Sequence, residues 1–121
     1  MPDGREFARL TVGVGVVALV HAALTWPPAA VVALFGGGAA IAFAGEAIVI
    51  SLGWLEHHVG PTVLGVPLYV LAGWTGIAYA AFRVALLATD GVMAVALAAT
   101  LATGYDVLSD HRGVAEGYWT Y

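Results

Sequence analysis

Hydrophobic residues occupy most of the chain in four long runs, which are separated by short polar segments. The runs extend over Leu10 to Trp26, Pro28 to Leu52, Thr62 to Ala88 and Gly91 to about Leu108. Each is close to the roughly 20 residues that an α-helix needs to cross a bilayer. No alternation of apolar and polar residues is sustained, and open sheet edges cannot be satisfied in lipid. The pattern predicts an all-α, polytopic membrane protein, a bundle of four transmembrane helices.

Turn-forming dipeptides stand between the runs and fix the predicted boundaries. They are Pro27-Pro28, Gly60-Pro61 and Asp90-Gly91. We therefore predict a single integral membrane domain over 1–121, with helices over about 10–26, 28–52, 62–88 and 91–108. A cytoplasmic tail over 109–121 is expected to follow the fourth helix.

The composition excludes several classes of protein. Hydrophobic residues make up 61% of the chain and charged residues 10%, and the mean hydropathy of +0.91 is far from that of a soluble domain. Without Cys there are no disulfides, thiolate metal sites or cysteine nucleophiles. A net charge of −4 argues against nucleic-acid binding. The acidic balance suits a salt-loving archaeon, and it suits other organisms with GC-rich genomes as well.

The positions of the arginines predict the orientation in the membrane. Arg5 and Arg9 precede the first run, and cytoplasmic segments are enriched in such residues. Four crossings return the carboxyl terminus, with Arg112, to the same side. We therefore predict a multi-pass protein of the cell membrane with both termini in the cytoplasm.

Three carboxylates lie in or at the end of apolar runs, where a charge is expensive and therefore a functional candidate. Glu46 follows Pro28 by 18 residues, which places it about 27 Å into the second helix from the outer side. Asp106 follows Gly91 by 15 residues, which is about 22 Å into the fourth helix. Asp110 shares a face with Asp106 if the helix continues. The three are predicted to meet near the cytoplasmic side.

Histidines near the same side raise the alternative of a metal site. Imidazole and carboxylate ligands suit Zn or Fe, and the candidates are His57, His58 and His111. However, adjacent histidines point in different directions on regular structure, and no His-x-x-x-His or Glu-x-x-His spacing occurs. The favoured interpretation is acid–base chemistry by the carboxylates, with no cofactor. A carboxyl in an apolar setting can hold its proton near neutral pH and serve as an acid.

Two segments and one acidic residue resemble a known family. Gly60 to Leu68, followed by Trp74, is similar to a Gly-Pro…Gly-Val-Pro-Leu…Trp segment of the membrane carotenoid biosynthesis family, which contains the carotenoid hydratases such as bisanhydrobacterioruberin hydratase. Tyr105 to Asp110, followed by Gly117 to Tyr121, resembles that family's paired aspartates and Gly-Tyr-Trp motif. Glu46 matches a Glu in the helix before the first motif.

The chain also departs from the family pattern. His111 stands where the family usually has Pro, and the aromatic segment after the Glu helix is shortened to Trp54–Val59. Family members continue past the tryptophan motif with further helices. The resemblance therefore suggests a shortened member of the family.

What the resemblance implies is hydration of an isoprenoid double bond by carboxyl acid/base catalysis. Asp106 and Asp110 would be the acid/base pair, with Glu46 as their partner across the helices. Aromatic faces can stabilise a cationic intermediate, and the candidates are Trp74, Tyr69 and Trp119. The substrate would be a lipid-soluble carotenoid or related isoprenoid that enters from the membrane.

Two other functions fit the same residues. One is a non-catalytic carotenoid-binding or assembly subunit of a membrane complex, and the other is a small transporter or proton-relay component. Four short helices enclose little volume for a long polyene. We therefore also expect a homo-oligomer or a partner membrane subunit. Membrane lipids are the other expected partners.

Overall fold

Four helices that are long and apolar enough to cross a membrane make up most of the chain. In the computed structural model, which describes residues 3–121, they are α1 (Gly4–Thr25), α2 (Pro28–Ser51), α3 (Leu68–Ala88) and α4 (Gly91–Ala115). The helix α3 is central, because α1 and α4 both pack extensively against it. Small residues allow the close approach of α3 and α4: Ala81, Ala85, Ala94 and Ala98 form a buried cluster. The prediction of a mostly helical chain with four apolar helices is confirmed.

The first helix begins earlier than the predicted residue 10. The side chain of Asp3 caps it by accepting a hydrogen bond from the backbone N–H of Glu6 at 2.8 Å. Glu6 lies in the first turn, where the helix dipole favours a negative charge. The polar residues before the apolar run are therefore part of the helix, and they bring Phe7 onto it.

The second helix changes its winding near its start. After Pro28–Val31 the backbone is π-helical over Val32–Gly37, and it returns to an α-helix over Gly38–Ser51. A π-helical segment this long is rare and widens the helix locally. The three segments follow one another without a break, so the predicted helix over 28–52 is present with this change inside it.

The third helix begins later than predicted, since residues 62–67 form a hairpin. Strands β2 (Thr62–Val63) and β3 (Val66–Pro67) pair antiparallel. Leu64 and Gly65 between them have φ of 52° and 79°, which are the two positive φ values of a two-residue hairpin turn. Because the backbone reverses there, α3 starts only at Leu68. The prediction of a helix from 62, and of no strands, is wrong for this segment.

The fourth helix is longer than predicted and takes in half of the expected tail. It continues to Ala115, after which Gly117 reverses the chain with a φ of 79°. Strand β4 (Trp119–Thr120) then pairs antiparallel with β1 (Glu56–His57) in the α2–α3 connection. Residues 109–121 are thus structured rather than a simple tail, and Asp110 lies within the helix.

The β1–β4 pair and the start of α1 lie at one end of the bundle, which we call the loop end. The ring of Phe7 stacks on Tyr118 with centroids 4.2 Å apart, and Tyr118 is buried. Gly4 lies directly against Val59 of the α2–α3 connection. The loop end therefore joins residues from the beginning, the middle and the end of the described chain.

Gly15 of α1 packs directly on the backbone of α3. A methyl group at Gly15 would lie 2.7 Å from the carbonyl oxygen of Ala72. We expect Gly15→Ala to push the helices apart and to reduce the free energy of unfolding by about 1–3 kcal/mol. Gly13→Ala is the control, because a methyl group there meets nothing within 4 Å. Thermal unfolding in detergent, followed by helical circular dichroism, measures both; equal midpoints would contradict this packing.

Candidate functional site

A cavity of about 460 Å³ lies at the loop end, and we call it the acidic chamber. Its walls come from α1, α2, α3, α4 and the two segments that form β1 and β4. All six residues that the sequence singled out as catalytic or substrate-binding line it: Glu46, Asp106, Asp110, Trp74, Tyr69 and Trp119. The carboxylates of α2 and α4 therefore share one space.

Glu46 is held from two sides inside the bundle. Its Oε2 atom lies 2.9 Å from Nε2 of His57 in β1, and its Oε1 atom accepts a hydrogen bond from the indole N–H of Trp74 at 3.3 Å. The side chains of Glu46 and His57 are only 14% and 5% exposed. An ionised carboxylate can only accept hydrogen bonds, so Nε2 of His57 is the donor when Glu46 is charged. The position of Glu46 is thereby fixed by α3 and β1 together.

Asp110 is held by the segment that follows α4. Its Oδ1 atom accepts a hydrogen bond from the indole N–H of Trp119 at 3.1 Å. The hydroxyl of Tyr121 donates to the same oxygen. Trp119 lies in β4 and Tyr121 follows that strand directly, so the β1–β4 ladder positions Asp110 as well as Glu46.

Asp106 lies one turn before Asp110 on α4, and its surroundings differ. Other side chains form hydrogen bonds with the carboxylates of Glu46 and Asp110. Within residues 3–121, no side chain forms a hydrogen bond with the carboxyl of Asp106. Asp106 is also exposed in the isolated chain, whereas Asp110 is half-buried. Of the three carboxyls that the sequence singled out, it is therefore the most accessible to a ligand.

Aromatic rings build the rest of the wall. Phe7 meets Tyr69 edge-on, with centroids 5.5 Å apart, and His57 meets Trp119 in the same way at 6.1 Å. The hydroxyl of Tyr69 and Nδ1 of His57 are buried and have no hydrogen-bond partner among the described residues. A buried polar group without a partner costs about 1–3 kcal/mol. The wall thus combines apolar faces with two unsatisfied polar atoms, an expense more typical of a functional site than of a packed core.

The three histidines of the alternative metal site are not brought together. The Nε2 atom of His58 lies 3.0 Å from the hydroxyl oxygen of Thr120, and His111 is exposed. Only His57 lines the acidic chamber. The part of the chain that the structure describes holds no group of three or more His, Asp or Glu side chains placed to bind a metal ion.

Sequence reasoning missed three contributors to the chamber. These are Phe7, Tyr121 and the pairing of His57 with Glu46. A signal existed for two of them. Asp3 followed by Glu6 is a helix-capping pattern that places Phe7 on α1. Trp119 and Tyr121 are two residues apart, so they share a face if the segment is extended.

Tyr121 gives the chamber a measurable titration. Desolvation, followed by the hydrogen bond to Asp110 and its negative charge, raises the pKa of Tyr121 to about 12. Because the folded protein favours the neutral phenol of Tyr121, its contribution to the free energy of unfolding is present below pH of about 10, where an ordinary tyrosine begins to ionise. That contribution is lost as the pH rises to about 12. We expect the difference between alkaline absorbance titrations of the wild type and Tyr121→Phe to show this pKa. In Asp110→Asn the same difference should move toward lower pH; an unchanged value would contradict the contact.

No protein-family model, no curated protein and no solved structure matches the chain. The described residues form a half-open cavity lined by carboxylates and aromatic side chains, at one end of four apolar helices.

Proposed function

We propose that this chain is a multi-pass protein of the cell membrane that adds water to an end-group double bond of a carotenoid or related isoprenoid. The observation that carries the proposal is the convergence of Glu46, Asp106 and Asp110 in one cavity with aromatic walls. The loop end is proposed to face the cytoplasm, because Arg5 and Arg9 lie near the start of α1.

The surroundings of the acidic chamber support this substrate class. The four helices expose large apolar side chains along their length, as expected of surfaces in contact with lipid. A ligand that reaches a chamber between such helices can arrive from the membrane, and hydration requires an alkene. The likeness of Gly60 to Leu68 and of Tyr105 to Tyr121 to the carotenoid biosynthesis family supports an isoprenoid as that alkene.

Asp106 is proposed as the acid. Its O–H bond breaks, and the proton forms a C–H bond at the less substituted carbon of the double bond. The π electrons make that bond and leave a tertiary carbocation. Asp106 suits this role because no described side chain donates a hydrogen bond to its carboxyl. The faces of Trp74, Trp119 and Tyr69 stabilise the cation, and the carboxyl oxygens of Glu46 add to this.

Asp110 is proposed as the base that completes the addition. A water oxygen forms the C–O bond with the cation, and its surplus proton passes to the carboxylate of Asp110. The hydrogen bonds from Trp119 and Tyr121 both end on Oδ1, so Oδ2 is the atom proposed to take the proton. Transfer of that proton back to Asp106, one helical turn away, restores the acid. The net change is the addition of one water molecule.

The test is conversion of an anhydro-carotenoid by membranes that contain the chain. We expect a product heavier by one water, and oxygen-18-labelled water should place the label in the new hydroxyl. Pigment that is bound but never converted would overturn the reaction and favour the carotenoid-binding subunit. Proton flux in pigment-free proteoliposomes that is lost in Glu46→Gln, with no hydration, would favour the proton-relay alternative instead.

A further inference from the structure

A second cavity, of about 530 Å³, lies between α2 and α3, and we call it the apolar groove. Apart from Glu46, its lining along α2 is aliphatic or small, from Leu34 through Gly45 to Val49. On the α3 side the indole N–H of Trp74 donates to Glu46, and the hydroxyl of Thr75 donates to the carbonyl oxygen of Leu71 at 2.8 Å in its own helix. The groove therefore offers almost nothing to a polar ligand, whose loss of hydration would not be compensated.

The apolar groove and the acidic chamber share a wall. Glu46 and Trp74 line both cavities, and the indole N–H of Trp74 donates to Oε1 of Glu46 at 3.3 Å. A molecule lying in the groove thus ends against the two side chains that also bound the chamber. Asp106 and Asp110 line the acidic chamber alone, so only this hydrogen-bonded pair is common to both cavities among the residues named.

The shape of the groove suits an extended molecule. Leu34 and Val49 are 15 residues apart on α2, so the groove follows the helix for about 22 Å. An apolar groove of this length matches a long hydrocarbon chain, and the adjoining chamber has the polar groups that an end group would meet.

We propose that the apolar groove holds the hydrocarbon chain of the isoprenoid substrate, while its terminal double bond passes Trp74 into the acidic chamber. This inference rests on the proposed function and adds a separate chain-binding site to it. An ordinary lipid acyl chain could also lie in an apolar groove. The isoprenoid is the favoured occupant because the groove shares Glu46 and Trp74 with the chamber in which an alkene end group is proposed to react, and a saturated acyl chain has no such group.

Gly45 allows the groove to be filled selectively. A Cβ atom at Gly45 would meet nothing within 4 Å, so the side chain in Gly45→Leu can extend into the groove without clashing with the protein. Gly37→Leu is the matched control. Gly37 is also on α2 with open space around its Cβ position, and it lines neither cavity.

The experiment uses the full chain in lipid nanodiscs loaded with lycopene as an acyclic polyene probe. We expect Gly45→Leu to lower retained pigment about tenfold, because a branched side chain occupies the place of the polyene. Gly37→Leu should retain as much as the wild type. Helical circular dichroism on both variants checks that the fold is intact. The same samples, given an anhydro-carotenoid, are assayed for product.

Each outcome bears on one of the two proposals. Undiminished pigment and product in Gly45→Leu would overturn the groove and leave the hydratase standing. Pigment that is lost in Gly45→Leu, together with no product in the wild type, would support the groove and overturn the reaction. Equal losses in Gly45→Leu and Gly37→Leu would also overturn the groove, since they would show a general effect of bulk on α2. A wild type that retains no pigment would overturn the groove, and one that also forms no product would overturn both.

Discussion

Hydration by the Asp106→Asn variant is expected to fall by about 10²–10⁴-fold, the contribution typical of a positioned acid. Asn keeps the shape of the side chain but has no proton to give to a carbon atom. Because no described side chain hydrogen-bonds to the Asp106 carboxyl, the substitution breaks no contact that supports the fold. The measurement is the initial rate of product formation in membranes, normalised to the amount of folded protein.

Asp90→Asn is the control for this prediction. Asp90 precedes α4 at the end of the bundle opposite the acidic chamber, where its side chain makes no capping hydrogen bond. The rate should be unchanged in that variant. A fully active Asp106→Asn protein would rule out Asp106 as the acid. If Asp106→Glu restored part of the rate, the need for a carboxyl at this position would be established.

Substitution of Gly113 by Ala is expected to displace Trp119 from the wall of the acidic chamber. A methyl group at Gly113 would lie 2.1 Å from the ring carbons of Trp119, so the indole must move. Its N–H then leaves Asp110, and the β1–β4 pair is strained. We expect a loss of about 1–3 kcal/mol in the free energy of unfolding and a large loss of hydration.

Gly104→Ala separates this effect from a general change in α4. Gly104 is on the same helix, and a methyl group there meets nothing within 4 Å. That variant should match the wild type in unfolding and in activity. Tryptophan fluorescence should change in Gly113→Ala alone; identical spectra and midpoints for the two variants would show that Trp119 does not pack on α4 as described.

The helices could be predicted because each corresponds to one long, continuous run of apolar residues in the sequence. Four apolar runs of nearly membrane-spanning length, without sustained two-residue alternation, favour helices, in which each run satisfies its own backbone groups. The hairpin was not predictable in the same way, since Thr62 to Pro67 is as apolar as the helix that follows it. Its reversal depends on Leu64, which adopts a positive φ that a branched aliphatic residue rarely takes.

The meeting of the carboxylates could be anticipated for a similar reason. The constant rise of a helix converts sequence distance into depth, so Glu46 and Asp106 were expected at one level. Their partners could not be anticipated. His57 and Trp119 are paired through a ladder of two residues on each side, and so short a contact between distant segments leaves no periodic pattern in the sequence.

The pairing of β1 with β4 also means that the acidic chamber is built from segments that are synthesised at different times. Chains are made from the amino terminus, so Glu46 and His57 have been synthesised before α4 begins. Asp106 and Asp110 are added only with α4, and β4 follows them. During biogenesis the carboxylate walls of the acidic chamber are therefore complete only after β4 has been made and has paired with β1.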